Sequence, residues 1–215
     1  MKITFKYMDQ KLCKIVKNPK KTLTILKALL IGSFYIIYYR TITKTVTIKF
    51  PFFAFYRVKI TGPGSVFIDK NCSVFKNIYE GLTIVTLSKE AQVKIGKGCY
   101  LGGLTIYCYK KIEIGNRTIT ANSLVQDSLF CEINRVKSLF KETDILEPKS
   151  VIIGENVWLG ALSCILSGTI IGDDSVISFG SVCYKLKVKK YSLVVGNPGV
   201  RSLPIRHVLL LSEKQ

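Results

Sequence analysis

The sequence predicts an all-β fold in which a parallel β-helix follows a basic, apolar N-terminal segment. A six-residue repeat carries the prediction, because an aliphatic residue or cysteine returns at Ile153, Leu159, Ile165, Ile171, Ile177 and Cys183. Hexapeptide periods are typical of parallel β-helices, in which about six residues form one flat side of a triangular coil and the aliphatic residue points inward. Glycine follows several of these residues, as at Gly154, Gly160 and Gly172, where a tight corner would exclude a side chain.

The charge of the chain is strongly positive and uneven. Thirty-two Lys and Arg stand against fourteen Asp and Glu, for a net charge of +18. Residues 1–60 carry thirteen of the basic residues and one acid, Asp9. Such a segment suggests an anionic surface as partner, either lipid headgroups or nucleic acid. No nucleic-acid-binding motif accompanies the charge, so nucleic acid is not expected as a partner.

An apolar run over residues 22–39 follows the basic start and contains one charge, Lys27. Three readings stay open for residues 22–39, and the first would bring residues 1–40 to a membrane surface. The run can form a helix that lies on a membrane surface, since its flanks are basic and its end is aromatic. It can instead cap the end of the β-helix, because solenoids need caps, or it can span a bilayer, for which its length is close to the minimum.

The chain as a whole divides into three parts. Residues 1–57 are expected to form the N-terminal extension and cap, with an alternating strand pattern near 41–48 and a turn at 51–56. Residues 58–199 are expected to form the β-helix, from which a polar segment without hexad spacing, residues 127–150, is extruded as a loop. Residues 200–215 form a tail that is expected to end in a short helix over 205–211.

The seven cysteines show no metal-ligand spacing, and their number is odd. We expect reduced, buried thiols in a cytoplasmic protein and no metal.

The hexads IGENVW, LGALSC, ILSGTI, IGDDSV and ISFGSV, followed by Gly196-Asn197-Pro198, resemble the hexapeptide-repeat acyltransferases. Within that superfamily the sequence is most similar to the O-acetyltransferases of bacterial surface polysaccharide and their maltose and xenobiotic relatives. The resemblance implies a left-handed parallel β-helix, a homotrimer, acetyl-CoA as acyl donor, and a sugar or lipid-linked glycan as acceptor. It also implies a cytoplasmic enzyme, which the N-terminal segment would hold peripherally on the inner face of the cytoplasmic membrane.

The sequence departs from this family at its catalytic residue. The family places a histidine after an aspartate at the start of the extruded loop, because a base with a near-neutral pKa activates a hydroxyl best. Here Ser128 follows Asp127, and the single histidine of the chain is His207. Asp127 or Glu132 could act as base if burial raised its pKa, or His207 could reach the site. Catalysis could also run by positioning and an oxyanion donor alone, or the protein could be a degenerate trimer that acts as scaffold or regulator.

For the site that binds acetyl-CoA, the resemblance implies particular residues more directly than it does for the catalytic base. The pantetheine arm of acetyl-CoA is expected to run along the later coils, between neighbouring subunits. The residues that this implies are Trp158, Gly160, Ala161, Ser178, Gly180 and Asn197. Lys185, together with Lys187, Lys189 and Lys190, is expected to meet the phosphates, because ammonium groups bind phosphate as point charges.

Overall fold

The computed structural model describes residues 19–75, 81–128, 148–199 and 201–204. Helix α1 (Pro19–Ile42) comes first, and nineteen strands follow within the described ranges. The strands of the first half are β1 (Val46–Ile48), β2 (Phe52–Ala54), β3 (Val58–Thr61), β4 (Ser65–Ile68), β5 (Cys72–Phe75), β6 (Leu82–Thr86), β7 (Gln92–Ile95), β8 (Tyr100–Cys108), β9 (Lys111–Ile114) and β10 (Ile119–Gln126). The strands of the second half are β11 (Val151–Ile153), β12 (Trp158–Leu159), β13 (Cys164–Ile165), β14 (Ile170–Ile171), β15 (Val176–Ile177), β16 (Val182–Cys183), β17 (Lys187–Val188), β18 (Ser192–Val195) and β19 (Arg201–Pro204).

The strands stack into a solenoid with three flat faces. Face A consists of β1, β4, β7, β9, β11, β14 and β17. Face B runs through β2, β5, β8, β10, β12, β15 and β18, and face C through β3, β6, β8, β10, β13 and β16. Strands β8 and β10 belong to both faces, since each bends at a residue with positive φ, Gly103 and Asn122. All these pairings are parallel, and the solenoid has about six turns, so the predicted β-helix is confirmed and is consistent with the left-handed form.

The hexads set the register of the coils. Ile152 pairs with Ile170 and Trp158 with Val176, a step of 18 residues that equals three hexads. The six hexad residues predicted to point inward are at most 2% exposed. They stack on one another and form one continuous apolar core along the solenoid axis.

The corners explain the small residues of the repeat. Left-handed φ values recur at Asn156, Leu162, Gly168, Asp174 and Gly180, six residues apart, which turns the chain between faces. The glycine after the inward aliphatic has another cause. A Cβ on Gly172 would stand 2.5 Å from the backbone nitrogen of Lys190, so neighbouring coils approach too closely for any side chain.

The first coil begins earlier than the sequence predicts. Val46, in β1, pairs with Val66 of the next coil, and Phe52, in β2, pairs with Cys72. The boundary expected at residue 58 therefore differs from the structure. Strand β2 (Phe52–Ala54) lies within the turn that is expected over residues 51–56, and its Phe52 is fully buried. Pro51 is compatible with this strand, because a proline can precede a strand without costing a ladder hydrogen bond.

Helix α1 covers the N-terminal end of the solenoid. Gly32 lies against the backbone of Phe52, and a Cβ there would overlap the Phe52 carbonyl. The Tyr39 hydroxyl accepts the Ile60 N–H at 2.8 Å, and the Tyr35 hydroxyl accepts the Val58 N–H at 3.3 Å. These two hydroxyls satisfy donors on the open edge of β3, which would otherwise invite pairing with another strand. Helix α1 therefore caps the end of the β-helix, as one of the three readings of the apolar run predicts.

Two further features concern the later part of the chain. Strand β19 pairs antiparallel with β18 and covers its outer edge, an arrangement that the hexad pattern does not predict. The predicted C-terminal helix over 205–211 lies outside the described residues, as does most of the extruded segment. The two ends of the extruded segment, residues 127–128 and 148–150, are described.

Candidate active site at two corners of the coil

The extruded segment leaves and rejoins the solenoid at the corner between faces C and A. Strand β10 ends at Gln126, and β11 begins at Val151 in register with Ile112 of the preceding coil. The backbone N–H of Lys149 donates to the carbonyl of Asp127 at 3.1 Å. The two ends of the segment are thus bonded to each other, and the corner stays closed beneath it.

Asp127 is fully buried at this corner, and its carboxylate is surrounded by backbone donors. Its Oδ1 accepts the N–H of Tyr109 at 2.7 Å, and its Oδ2 accepts the N–H groups of Lys110 and Lys111 at 2.6 and 2.8 Å. Three such bonds stabilise a buried carboxylate and fix the turn of the coil below it. These contacts give Asp127 a structural role, while its assignment as the base stays a prediction.

The thiol of Cys108 is a fourth neighbour of this carboxylate. Its Sγ lies 3.5 Å from Oδ2 of Asp127. Burial raises the pKa of the Cys108 thiol well above its ordinary value, and the negative charge of Asp127 raises it further. Cys108 therefore stays protonated and can donate to the carboxylate.

Ser128 stands where the family that the sequence resembles carries histidine. The residue is 2% exposed, and its buried Oγ has no hydrogen-bond partner among the residues that the structure describes. A buried hydroxyl without a partner costs free energy, and such groups in native proteins call for an explanation. A bound molecule that hydrogen-bonds to Ser128 would supply one.

The predicted donor residues gather mostly at another corner, between faces B and C. The N–H of Gly180 donates to the carbonyl of Ala161 at 2.9 Å, which stacks these two residues on successive coils. Gly160 precedes Ala161 at the corner. Ser178 lies over Gly160 on the next coil, since a Cβ on Gly160 would stand 2.9 Å from the carbonyl carbon of Ser178. Asn197 continues the column, because the neighbouring Gly196 carbonyl accepts the N–H of Val182 at 3.1 Å.

Trp158 and Lys185 lie away from that column. Trp158 projects from face B with 53% of its surface exposed, in register with Ile119 and Val176. Lys185 is exposed at the corner between faces C and A, where its N–H donates to the carbonyl of Ser167. The structure therefore brings Lys185 to the same corner as Asp127 and Ser128, and not to the predicted donor column.

Sequence reasoning missed Lys149 as a neighbour of this site. The Lys149 N–H donates to the Ser167 hydroxyl at 2.9 Å as well as to Asp127. The side chains of Lys149 and Lys185 flank Gly168, since a Cβ there would lie 3.5 and 3.3 Å from their carbon atoms. Two exposed ammonium groups thus share one corner across successive coils. The resumption of hexads at Val151 could have indicated that the preceding residues rejoin this corner.

Lys187, Lys189 and Lys190 spread over face A and the corner beyond it instead of joining Lys185. The remaining candidates, Glu132 and His207, lie outside the described residues.

Comparison with known proteins agrees with this architecture. Residues 150–185 match the family model described as bacterial transferase hexapeptide (six repeats). This match covers 36 of the 215 residues and confirms the hexapeptide repeat, and with it the resemblance, in the later coils. No curated protein sequence matches the chain.

Several solved structures share the fold. The chain is similar to the polySia-specific acetyltransferase NeuO, with 22% identity, a TM-score of 0.57, and coverage of 74% of this chain and 70% of NeuO. It is similar to a mutant of AntD, an N-acyltransferase from Bacillus cereus in complex with dTDP-4-amino-4,6-dideoxyglucose and coenzyme A. That match has 17% identity, a TM-score of 0.50, and coverage of 78% and 88%. A galactoside acetyltransferase in complex with coenzyme A matches at 19% identity, with a TM-score of 0.45 and coverage of 83% and 80%. At these identities the shared property is the fold.

Proposed function

We propose that this protein is an acyl-CoA-dependent O-acetyltransferase that moves an acetyl group from acetyl-CoA to a sugar hydroxyl in surface-polysaccharide synthesis. The observation that carries the proposal is the buried hydroxyl of Ser128, which has no hydrogen-bond partner in the described part of the chain and lies at the corner of the solenoid where β10 ends. The similar fold of NeuO, named as an acetyltransferase of polySia, supports a glycan acceptor. AntD, solved in complex with coenzyme A, supports the donor.

The reaction needs an oxygen nucleophile and a proton acceptor. The acceptor hydroxyl attacks the thioester carbonyl, the carbon–sulfur bond breaks, and the hydroxyl proton ends on the sulfur of coenzyme A. In this proposal the Ser128 hydroxyl donates to an oxygen of the reacting group, as an oxyanion donor does. Lys149 and Lys185 would bind the phosphates of the donor or the charge of an anionic glycan.

The two corners of one chain support a site that forms between copies. Most predicted donor residues lie at the corner between faces B and C, whereas Ser128 lies at the next corner, beyond face C. A neighbouring copy could bring its own donor corner against Ser128. Face B offers an apolar surface for such a contact, because Tyr100, Ile119 and Trp158 form a paired, half-exposed column along it. We therefore propose a homotrimer.

A second acceptor class is favoured by one observation. The chain has a single histidine, His207. A neutral amine is itself nucleophilic, so acyl transfer to an amino sugar depends less on a general base than transfer to a hydroxyl. The complex of AntD with an amino sugar nucleotide supports this alternative.

Release of free coenzyme A thiol, measured with acetyl-CoA and either a neutral oligosaccharide or an amino sugar, tests the proposal. Acceptor-dependent release supports acyl transfer, and the preferred acceptor separates O-acetylation from N-acetylation. Ala161→Arg, which fills the donor corner, should abolish turnover, whereas Thr47→Arg on the exposed surface of face A should leave it unchanged. Mixed oligomers of Ala161→Arg and Ser128→Ala chains should regain part of the activity if the site lies between copies. Acetyl-CoA binding without release for any acceptor would favour the scaffold alternative.

A further inference from the structure

We propose that the outer face of α1 is a docking surface for an anionic lipid bilayer, on which the helix lies in the membrane plane while it caps the solenoid. This goes beyond the acyl transfer proposed above and does not depend on it. The partner is the bilayer surface itself, recognised by apolar side chains together with basic ones.

An apolar stripe runs along the outer side of α1 and has no protein partner among the described residues. Its members recur at helical spacing and are each at least 52% exposed: Leu23, Leu26, Leu30, Phe34 and Ile37. At about 100° per residue these five side chains lie within roughly a quarter of the helix circumference. A soluble protein rarely leaves a contiguous apolar surface of this kind uncovered.

The opposite side of the helix is committed to the solenoid. Ala28 and Tyr39 are 2% and 5% exposed, and Gly32 touches the backbone of Phe52. The helix is therefore apolar on both sides, but among the described residues protein covers only the side that faces the solenoid. An apolar helix needs apolar surroundings on all sides, and lipid can supply them on the outer side.

The same contacts argue for an in-plane helix over a spanning one. The stretch Lys20–Ile42 is long and apolar enough to cross a bilayer, and only 17% of its most apolar window is buried. A spanning helix would have to leave the solenoid. It would then lose the hydrogen bonds that the N–H groups of β3 donate to the Tyr35 and Tyr39 hydroxyls, and would expose the first coil. Lying flat, the helix keeps those contacts and turns its stripe outward from the end of the solenoid.

Charge around the helix identifies the kind of bilayer. Residues 19–61 contain eight Lys and Arg and no Asp or Glu. Lys20, Lys27, Arg40 and Lys44 are exposed on or beside α1. Basic residues next to an apolar face are attracted to anionic headgroups, and long lysine stems reach from the apolar level to the headgroups.

Vesicle flotation of the full chain tests the proposal, with vesicles of phosphatidylcholine alone or of phosphatidylcholine and phosphatidylglycerol. The wild-type protein should float with the anionic vesicles, float less at high salt, and float little with phosphatidylcholine alone. Leu30→Glu/Phe34→Glu should reduce binding at least tenfold, because it places two carboxylates in the stripe. Thr47→Glu/Gln92→Glu adds the same charge on exposed positions of face A and should retain binding close to wild type.

Three results would overturn the proposal. The first is equal flotation of the two double variants, after thermal melting has shown both to be folded. The second is wild-type protein that resists extraction from vesicles by alkaline carbonate, because an in-plane helix is released whereas a spanning one is not. The third is wild-type protein that does not float but forms a larger oligomer that Leu30→Glu/Phe34→Glu dissociates, since the stripe would then bind a second copy of the chain.

Discussion

The backbone N–H of Lys149 donates to the carbonyl of Asp127 at 3.1 Å, although 22 residues separate the two in sequence. This bond closes the base of the extruded segment. The coils on either side of the segment therefore continue in register, as the pairing of Val151 with Ile112 shows. The described ends of the segment, residues 127–128 and 148–150, are thus held at a fixed corner of the solenoid, where a binding group can be positioned.

Asp127→Asn should destabilise the protein by about 3 kcal/mol, because an amide cannot accept the three backbone N–H groups as a buried carboxylate does. Thermal unfolding measures the loss. Asp173→Asn is the matched control, since the exposed Asp173 accepts one backbone N–H, from Glu155 at 2.8 Å, and should cost less than about 1 kcal/mol. An Asp127→Asn protein with wild-type stability but no turnover would contradict the structural role and support the predicted catalytic one.

Ser128→Ala should keep or slightly raise the stability, because it removes a buried hydroxyl that no described residue satisfies. If the hydroxyl contacts the reacting group, kcat/KM should fall by about 10²-fold. Ser163→Ala provides the contrast, since the Ser163 hydroxyl is 3.2 Å from that of Ser123 and its loss should lower the melting temperature. Unchanged turnover in Ser128→Ala would remove this residue from the site.

Cys183 should make the stability fall at alkaline pH. Burial, and to a lesser degree the neighbouring Cys164, raises the pKa of the Cys183 thiol from 9.0 to about 11. The folded state therefore keeps its proton when the unfolded state has lost it. This stabilising contribution is complete below pH 9 and is lost as pH rises to about 11. The melting temperature of wild-type protein should drop more steeply across that window than that of Cys183→Ala, and parallel curves would contradict the prediction.

Gly172→Ala should destabilise the solenoid by several kcal/mol, because the new Cβ would stand 2.5 Å from the Lys190 nitrogen and force two coils apart. Gly98→Asn is the control. Gly98 has φ near +70° with its nearest atom 3.8 Å from a Cβ, and asparagine tolerates that conformation. Chemical denaturation should rank the two variants clearly, and equal stability would mean that the coils can separate at little cost.

The repeat predicts the later coils well because each hexad uses the same inward position. Ile153 and Leu159 are buried for the reason that the period indicates. The early coils are harder, because β2 is led by Phe50-Pro51 and enriched in aromatics, a pattern that also suits a turn. Nothing local in the sequence indicates that Phe52 packs against helix α1 at Gly32, which lies twenty residues earlier in the chain.

The candidate site is also predicted only in part. The sequence identifies Asp127 and Ser128 as the start of the extruded segment. It cannot show that three backbone N–H groups from the preceding coil reach the Asp127 carboxylate, because those contacts depend on stacking between coils. Nor does the sequence show that Ser128 and Ala161 lie at different corners with face C between them, because the position of each corner follows from the three-sided cross-section of the solenoid.

The first experiment should be calorimetric titration of the protein with acetyl-CoA, beside the Ala161→Arg variant. We expect saturable binding by the wild-type protein, with a dissociation constant below about 1 mM, and no binding by the variant. Absence of saturable heat from folded wild-type protein would contradict the assignment of an acyl-CoA donor site, as would equal binding by the two proteins.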